Sequence, residues 1–183
     1  MAEDTSRLLR AGIHPPAVCR VGFRYNLYPE QFFPLAVSDT LFLGVTEQDF
    51  QLDGYTVRRL QDVTSVELLR GAYLAIHKAE GSLTRLYAPP VLIENWKTVF
   101  SSLASSGELI IAEENALRPT ESVFRIGKIL RVGPRGAEMR TFDGDGVWDA
   151  EKTVVSFSSV TSVTFGSRYI STYAKYIKPC PIR

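Results

Sequence analysis

The sequence predicts a mostly β protein with minor α: tandem duplicated small β-barrels joined by a helix-containing insert. Three observations carry that prediction. The segments "QDVTSVELLRG" (61–71) and "SSVTSVTFGSR" (158–168) say nearly the same thing twice. Short alternating apolar and polar runs, broken by Gly, Pro, Asp and Ser, fill the chain around both segments. Between them one stretch, "IENWKTVFSSLASSG" (93–107), switches to helical spacing.

The duplication rests on the surroundings of the shared "VTSV". Placing Val63 on Val160 puts Val57 on Val154, Leu60 on Phe157 and Val66 on Val163. One residue of slip further upstream puts Leu52-Asp53 on Trp148-Asp149, Asp49 on Asp145 and Leu43 on Met139. The apolar spacing is kept throughout, which implies a repeated unit of roughly 50 residues. The units are expected at 17–71 and 118–183, with the insert at 72–117.

Each element has a local reason. "FFPLAVSD" (32–39) and "TLFLGVTE" (40–47) read as a hairpin turning at Ser38-Asp39. "GYTVRRL" (54–60) follows an Asp53-Gly54 turn signal. In the insert, Pro89-Pro90 stops whatever precedes it. Trp96, Val99, Phe100 and Leu103 then recur at helical spacing, with Asn95 as N-cap and Gly107 as stop. "ELIIAEE" (108–114) reads as one more strand. In the second unit "SVFRIGKILRV" (122–132) turns through Gly133-Pro134-Arg135-Gly136 into "AEMRTF" (137–142). The loop "DGDGVWDAE" (143–151) leads to "KTVVSF" (152–157), and "RYISTYAKYI" (168–177) reads as a closing helix with Tyr169, Tyr173, Ala174 and Ile177 on one face. Strand-rich units of this size suggest small barrels of the Sm-like or SH3-like kind.

The bulk numbers fit a soluble globular chain of 183 residues, 45% apolar and 22% charged. A net charge of +1 excludes a whole-protein field that would draw nucleic acid or anionic lipid. Cys19 and Cys180 match no zinc-ligand spacing and read as free thiols. "MAEDTSRLLR" lacks the apolar core of a signal peptide, and no apolar run approaches the ~20 residues of a membrane span. The reading is a cytoplasmic protein with no membrane partner.

"LDGYTVRRLQDVTSVE" (52–67) together with "IGKILRV" (126–132), "FDGDGVWD" (142–149) and "VTSVTFGSRY" (160–169) resembles a widespread bacterial family with no established activity. Its members carry two such barrel-like units around a Trp-bearing helix, which implies that fold here over about residues 20–177. "VTSVELLRG" (63–71) also resembles the second motif of Sm-like RNA-binding barrels, where an Arg-Gly turn, here Arg70-Gly71, helps to hold RNA. The matching hairpins lack that family's Asp-x-x-x-Asn pattern, and Gly166-Ser167-Arg168 stands where the second Arg-Gly would be.

Three chemistries have candidate residues. Catalysis has the weakest: His14 and His77 are the two histidines, and no GxSxG, HExxH, SxxK or phosphate-loop signature accompanies them. The expectation is a non-catalytic protein with structural or surface histidines. The acidic loop offers Asp143, Asp145, Asp149 and Glu151, oxygen donors spaced by glycines as Ca²⁺ or another divalent cation needs. Turn chemistry explains the same residues, with Trp148 folded onto the core. No other cofactor is implied. A basic hairpin gathers Arg125, Lys128, Arg131, Arg135 and Arg140 against Glu138 alone, a phosphate-facing set if nucleic acid binds. Strand alternation places Arg125 and Arg131 on one parity and Lys128 and Arg140 on the other. Tyr169, Tyr173 and Tyr176 offer either an interaction surface or packing for the last helix. The function expected is a binding or interaction module working by protein–protein contact, self-association included. RNA binding through the basic hairpin and Arg70 is the alternative, and metal-dependent activity at the acidic loop the third.

Overall fold

A computed structural model describes residues 2–181. The chain divides into two compact units, Met1–Pro89 and Pro90–Arg183. The stretch read as an insert therefore divides too: 72–89 go with the first unit and 90–117 with the second. Among the described residues, no helix is long and apolar enough to cross a membrane.

The first unit runs α1 (Ala2–Ala11), β1 (Val18–Phe23), β2 (Glu30–Val37), β3 (Leu41–Gln48), β4 (Gln51–Arg59), a 3₁₀ turn (Leu60–Asp62), β5 (Val63–Leu69) and α2 (Ala72–Ala79). Its strands lie antiparallel in the order β5-β1-β2-β3-β4. The adjacent Phe32 and Phe33 show why both faces are covered. Successive side chains of a strand point to opposite faces. Phe32 joins Leu9 of α1, Cys19, Val21, Phe23 and Phe42, while Phe33 joins Val18, Val45 and the half-buried Tyr73 and Leu74 of α2.

The expected β2–β3 turn at Ser38-Asp39 is present: Ser38 Oγ accepts from the Leu41 amide at 2.9 Å. The next turn falls earlier than the Asp53-Gly54 signal. It is made by Asp49 and Phe50, at φ 51° and 64°, the left-handed pair that a two-residue hairpin requires. The Phe50 amide donates to Glu47 Oε1 at 2.7 Å and closes it. Gly54 sits inside β4 at φ 70°, where the ladder slips between Val45 and Glu47. The glycine serves a bulge rather than a turn.

The second unit runs α3 (Trp96–Ser106), β6 (Leu109–Glu114), β7 (Val123–Val132), β8 (Gly136–Thr141), β9 (Thr153–Ser156), β10 (Ser162–Phe165) and α4 (Arg168–Tyr176). The order β10-β6-β7-β8-β9 is the first unit's order over again. The corresponding residues fall on the same strands of the order, but not at one register: Leu43 pairs with the buried Val57, whereas Met139 pairs with Thr153 and the exposed Val154 sits opposite Glu138. "ELIIAEE" is not an extra strand of an insert but β6, placed between β10 and β7. α3 forms as expected. Asn95 and Thr98 make a reciprocal capping box, Gly107 ends the helix at φ 69°, and Trp96, Val99, Phe100 and Leu103 are buried.

The molecule is mostly β with minor α. Closed barrels are not what the ladders give: among the described residues none joins β5 to β4 or β10 to β9. The four-residue β9 and β10 offer little length for a closing ladder.

Candidate binding site on the second unit

The acidic loop between β8 and β9 is built from its own first residue. Asp143 Oδ1 accepts from the amides of Asp145 (3.0 Å) and Val147 (2.9 Å), and the Asp143 amide donates to the Val147 carbonyl at 3.1 Å. Gly146 takes φ 76°, which a side chain would resist. Trp148 folds back as the turn reading expects: its Nε1 donates to the Lys178 carbonyl at 2.8 Å, and its ring meets Phe142 edge-on with centroids 5.1 Å apart. Tyr173 Oη donates to the Gly144 carbonyl at 2.9 Å and ties the loop to α4.

α4 starts at Ser167, whose Oγ accepts from the Ile170 amide at 3.3 Å. Its buried face is set one residue away from the expected one. Ile170 is buried, with Tyr173 and Ile177 packed beside it on Ile111, Ile126 and Phe142. Tyr169 and Ala174 lie outward.

Two pockets adjoin this loop and share Gly144. The first, of about 500 Å³, is lined by Phe124, Arg125, Thr141, Asp143, Asp149 and Tyr169 among others. The second, of about 340 Å³, is lined by Asp145, Val147, Trp148, Tyr173, Tyr176 and Ile177. Around them stand Phe124 (52% exposed), Tyr169 (50%), Val147 (62%) and Tyr176 (82%). The Tyr173 hydroxyl is held above the usual tyrosine range by its hydrogen bond with Tyr169, by desolvation, and by the charges of Asp145 and Asp143.

The candidates from sequence separate. Asp143, Asp149 and Arg125 line the first pocket and Asp145 the second, while Glu151 is exposed at the loop's far end. Asp149 Oδ2 accepts from Thr141 Oγ1. Among the described residues, no three His, Cys, Asp or Glu side chains converge as a cation's donor set would.

The basic hairpin does not present one face. Arg125 is ion-paired to Glu114. Arg140 is buried, its guanidinium donating to the carbonyls of Asp149 and Ala150 beneath the loop. A bulge between Ile129 and Arg131 sets Arg131 opposite Glu138, while Lys128 stays opposite Arg140. Glu138 and Arg140 share one parity of β8, so Arg131 joins Lys128 and Arg140 and leaves Arg125. The strict alternation read from sequence fails at that bulge. Arg131 pairs with Glu138, and both line a separate pocket of about 370 Å³ at the hairpin tip with the exposed Arg135. Arg70 lies in the first unit, exposed just past β5.

Of the histidines, His14 is exposed and His77 fully buried, its ring against Phe33, Phe50 and Tyr73. Comparison with family models, with curated proteins and with solved structures returned no match.

Proposed function

We propose that the protein is a non-catalytic binding module that contacts a partner protein through the acidic loop and α4 of its second unit. One observation carries the reading: four half-exposed or more exposed apolar side chains, Phe124, Val147, Tyr169 and Tyr176, stand together around two adjoining pockets. Scattered exposed apolar residues need no explanation, but a patch of aromatic residues with a polar rim is the composition of an interface. The two units are small modules of the Sm-like or SH3-like kind. Support comes from the repeated strand order, from a helix before the first strand of each, and from the short turn before each last strand.

Selection from a random displayed-peptide library tests this. Wild-type protein enriches binding peptides, and the double variant Tyr169→Ser/Tyr176→Ser does not. Equal enrichment on both proteins contradicts the reading.

Nucleic-acid binding is the second reading, and the hairpin-tip pocket with Arg135 favours it. It predicts bound nucleic acid that strips at high salt and is lost in Arg131→Ala/Arg135→Ala. It has less support than the first, because Arg125, Arg131 and Arg140 are already engaged by Glu114, Glu138 and loop carbonyls.

A further inference from the structure

We infer that the first pocket takes the cationic side chain of a lysine or arginine in a segment of the partner protein, with a neighbouring apolar side chain entering the second. The inference rests on the interaction reading above and names the chemistry of its partner.

Sign of charge comes first. Asp143 and Asp149 line the pocket; the cation in its lining, Arg125, is bound to Glu114, and the nearby Arg140 is buried beneath the loop on the Asp149 and Ala150 carbonyls. Each aspartate uses one carboxylate oxygen inside the loop, Asp143 Oδ1 on backbone amides and Asp149 Oδ2 on Thr141. Asp143 Oδ2 and Asp149 Oδ1 remain outside those bonds. An anion such as a phosphate meets repulsion here. An ammonium or guanidinium meets two acceptors, on exposed side chains beside the aromatic rim, each offering a charge-assisted bond.

The aromatic rings agree with that sign. Phe124 and Tyr169 meet edge to face with centroids 6.5 Å apart, both half exposed at the pocket rim. A ring face attracts a cation within about 6 Å of its centroid. The contact also covers the apolar stem of a Lys or Arg side chain. Volume fits as well, since about 500 Å³ lies within the ordinary range of ligand pockets.

The second pocket separates a peptide from a free small cation. It borders the same Gly144 and is walled by Val147, Trp148, Tyr176 and Ile177. Successive outward side chains of an extended segment reach adjoining pockets, which is how main-chain-held peptides gain specificity.

The test uses the full chain and fluorescein-labelled nonapeptides carrying a central Arg-Ser-Leu or Lys-Ser-Leu, the cation and the leucine two residues apart so that both face outward on the same side, with neutral controls in which citrulline or norleucine replaces the cation. Binding is read by anisotropy at low and moderate salt. The cationic peptides bind about tenfold more tightly than the neutral ones, the preference a cation–π contact and charge-assisted bonds to two carboxylates give together. Asp143→Asn/Asp149→Asn removes the preference. Asn keeps a side-chain oxygen for the loop's own hydrogen bonds, so the variant keeps the fold, and Tyr169→Leu supplies an independent change on the other wall. Equal binding of cationic and neutral peptides overturns the inference and leaves the interaction reading standing. Binding of none of the peptides, by wild type or variant, overturns the inference, while the library selection still decides the interaction reading.

Discussion

Glu47 shows what a single buried residue does in this chain. Its carboxylate accepts from the Phe50 amide and from Tyr73 Oη at 2.9 Å, and His77 Nε2 lies 3.5 Å away. One side chain thus closes the β3–β4 turn and holds α2. Burial pushes the Tyr73 hydroxyl up to about 12, its bond to Glu47 adding to the shift. The folded value lies above the unfolded one. This contribution is therefore intact below the ordinary tyrosine pKa of about 10 and is lost as pH climbs from there. Tyrosinate absorbance and melting temperature against pH check it. Tyr73→Phe removes this residue's share of the alkaline loss and, by leaving a buried carboxylate short of a donor, costs about 1–3 kcal/mol at neutral pH. Burial also raises the Cys19 thiol to about 12. A disulfide reagent therefore modifies Cys19 only as the protein unfolds.

Elements whose determinants are local were legible in the sequence. α3 carries its apolar face, its N-cap and its stop within thirteen residues, Asn95 to Gly107. Asn95→Ala, measured by urea denaturation, costs about 1 kcal/mol. α1 and α2 were not legible. Among its described side chains α1 buries Thr5 and Leu9, and α2 fully buries a histidine, so neither shows an apolar stripe. The β3–β4 turn was misplaced because Asp53-Gly54 is the stronger local signal, whereas the buried Glu47 that fixes the turn depends on the whole unit. The bulge in β7 has no local signature either, and it moves Arg131 to the other face. Its neighbour Gly127 has a plain cause: a Cβ there would lie 2.0 Å from the Arg140 carbonyl oxygen. Gly127→Ala therefore destabilises by several times the ~1 kcal/mol typical of a point change, read in the same urea series.

At the scale of the molecule, the acids of the loop and the tyrosines of α4 were each visible in the sequence as separate features. Their meeting was not, because α4 follows β10 and the loop follows β8, and topology alone brings them together. The near-zero net charge and the paired arginines argue against a dedicated nucleic-acid binder. Purified protein accordingly keeps the same mass at low and high salt and carries no nucleic-acid absorbance. The most direct test of the binding surface is amide chemical-shift mapping on the full chain with an Arg-Ser-Leu peptide. Shifts concentrated at Phe124, Asp143–Asp149 and Tyr169–Tyr176 are the result the account predicts. Shifts concentrated instead at Arg131–Gly136, or scattered over the first unit, would contradict it.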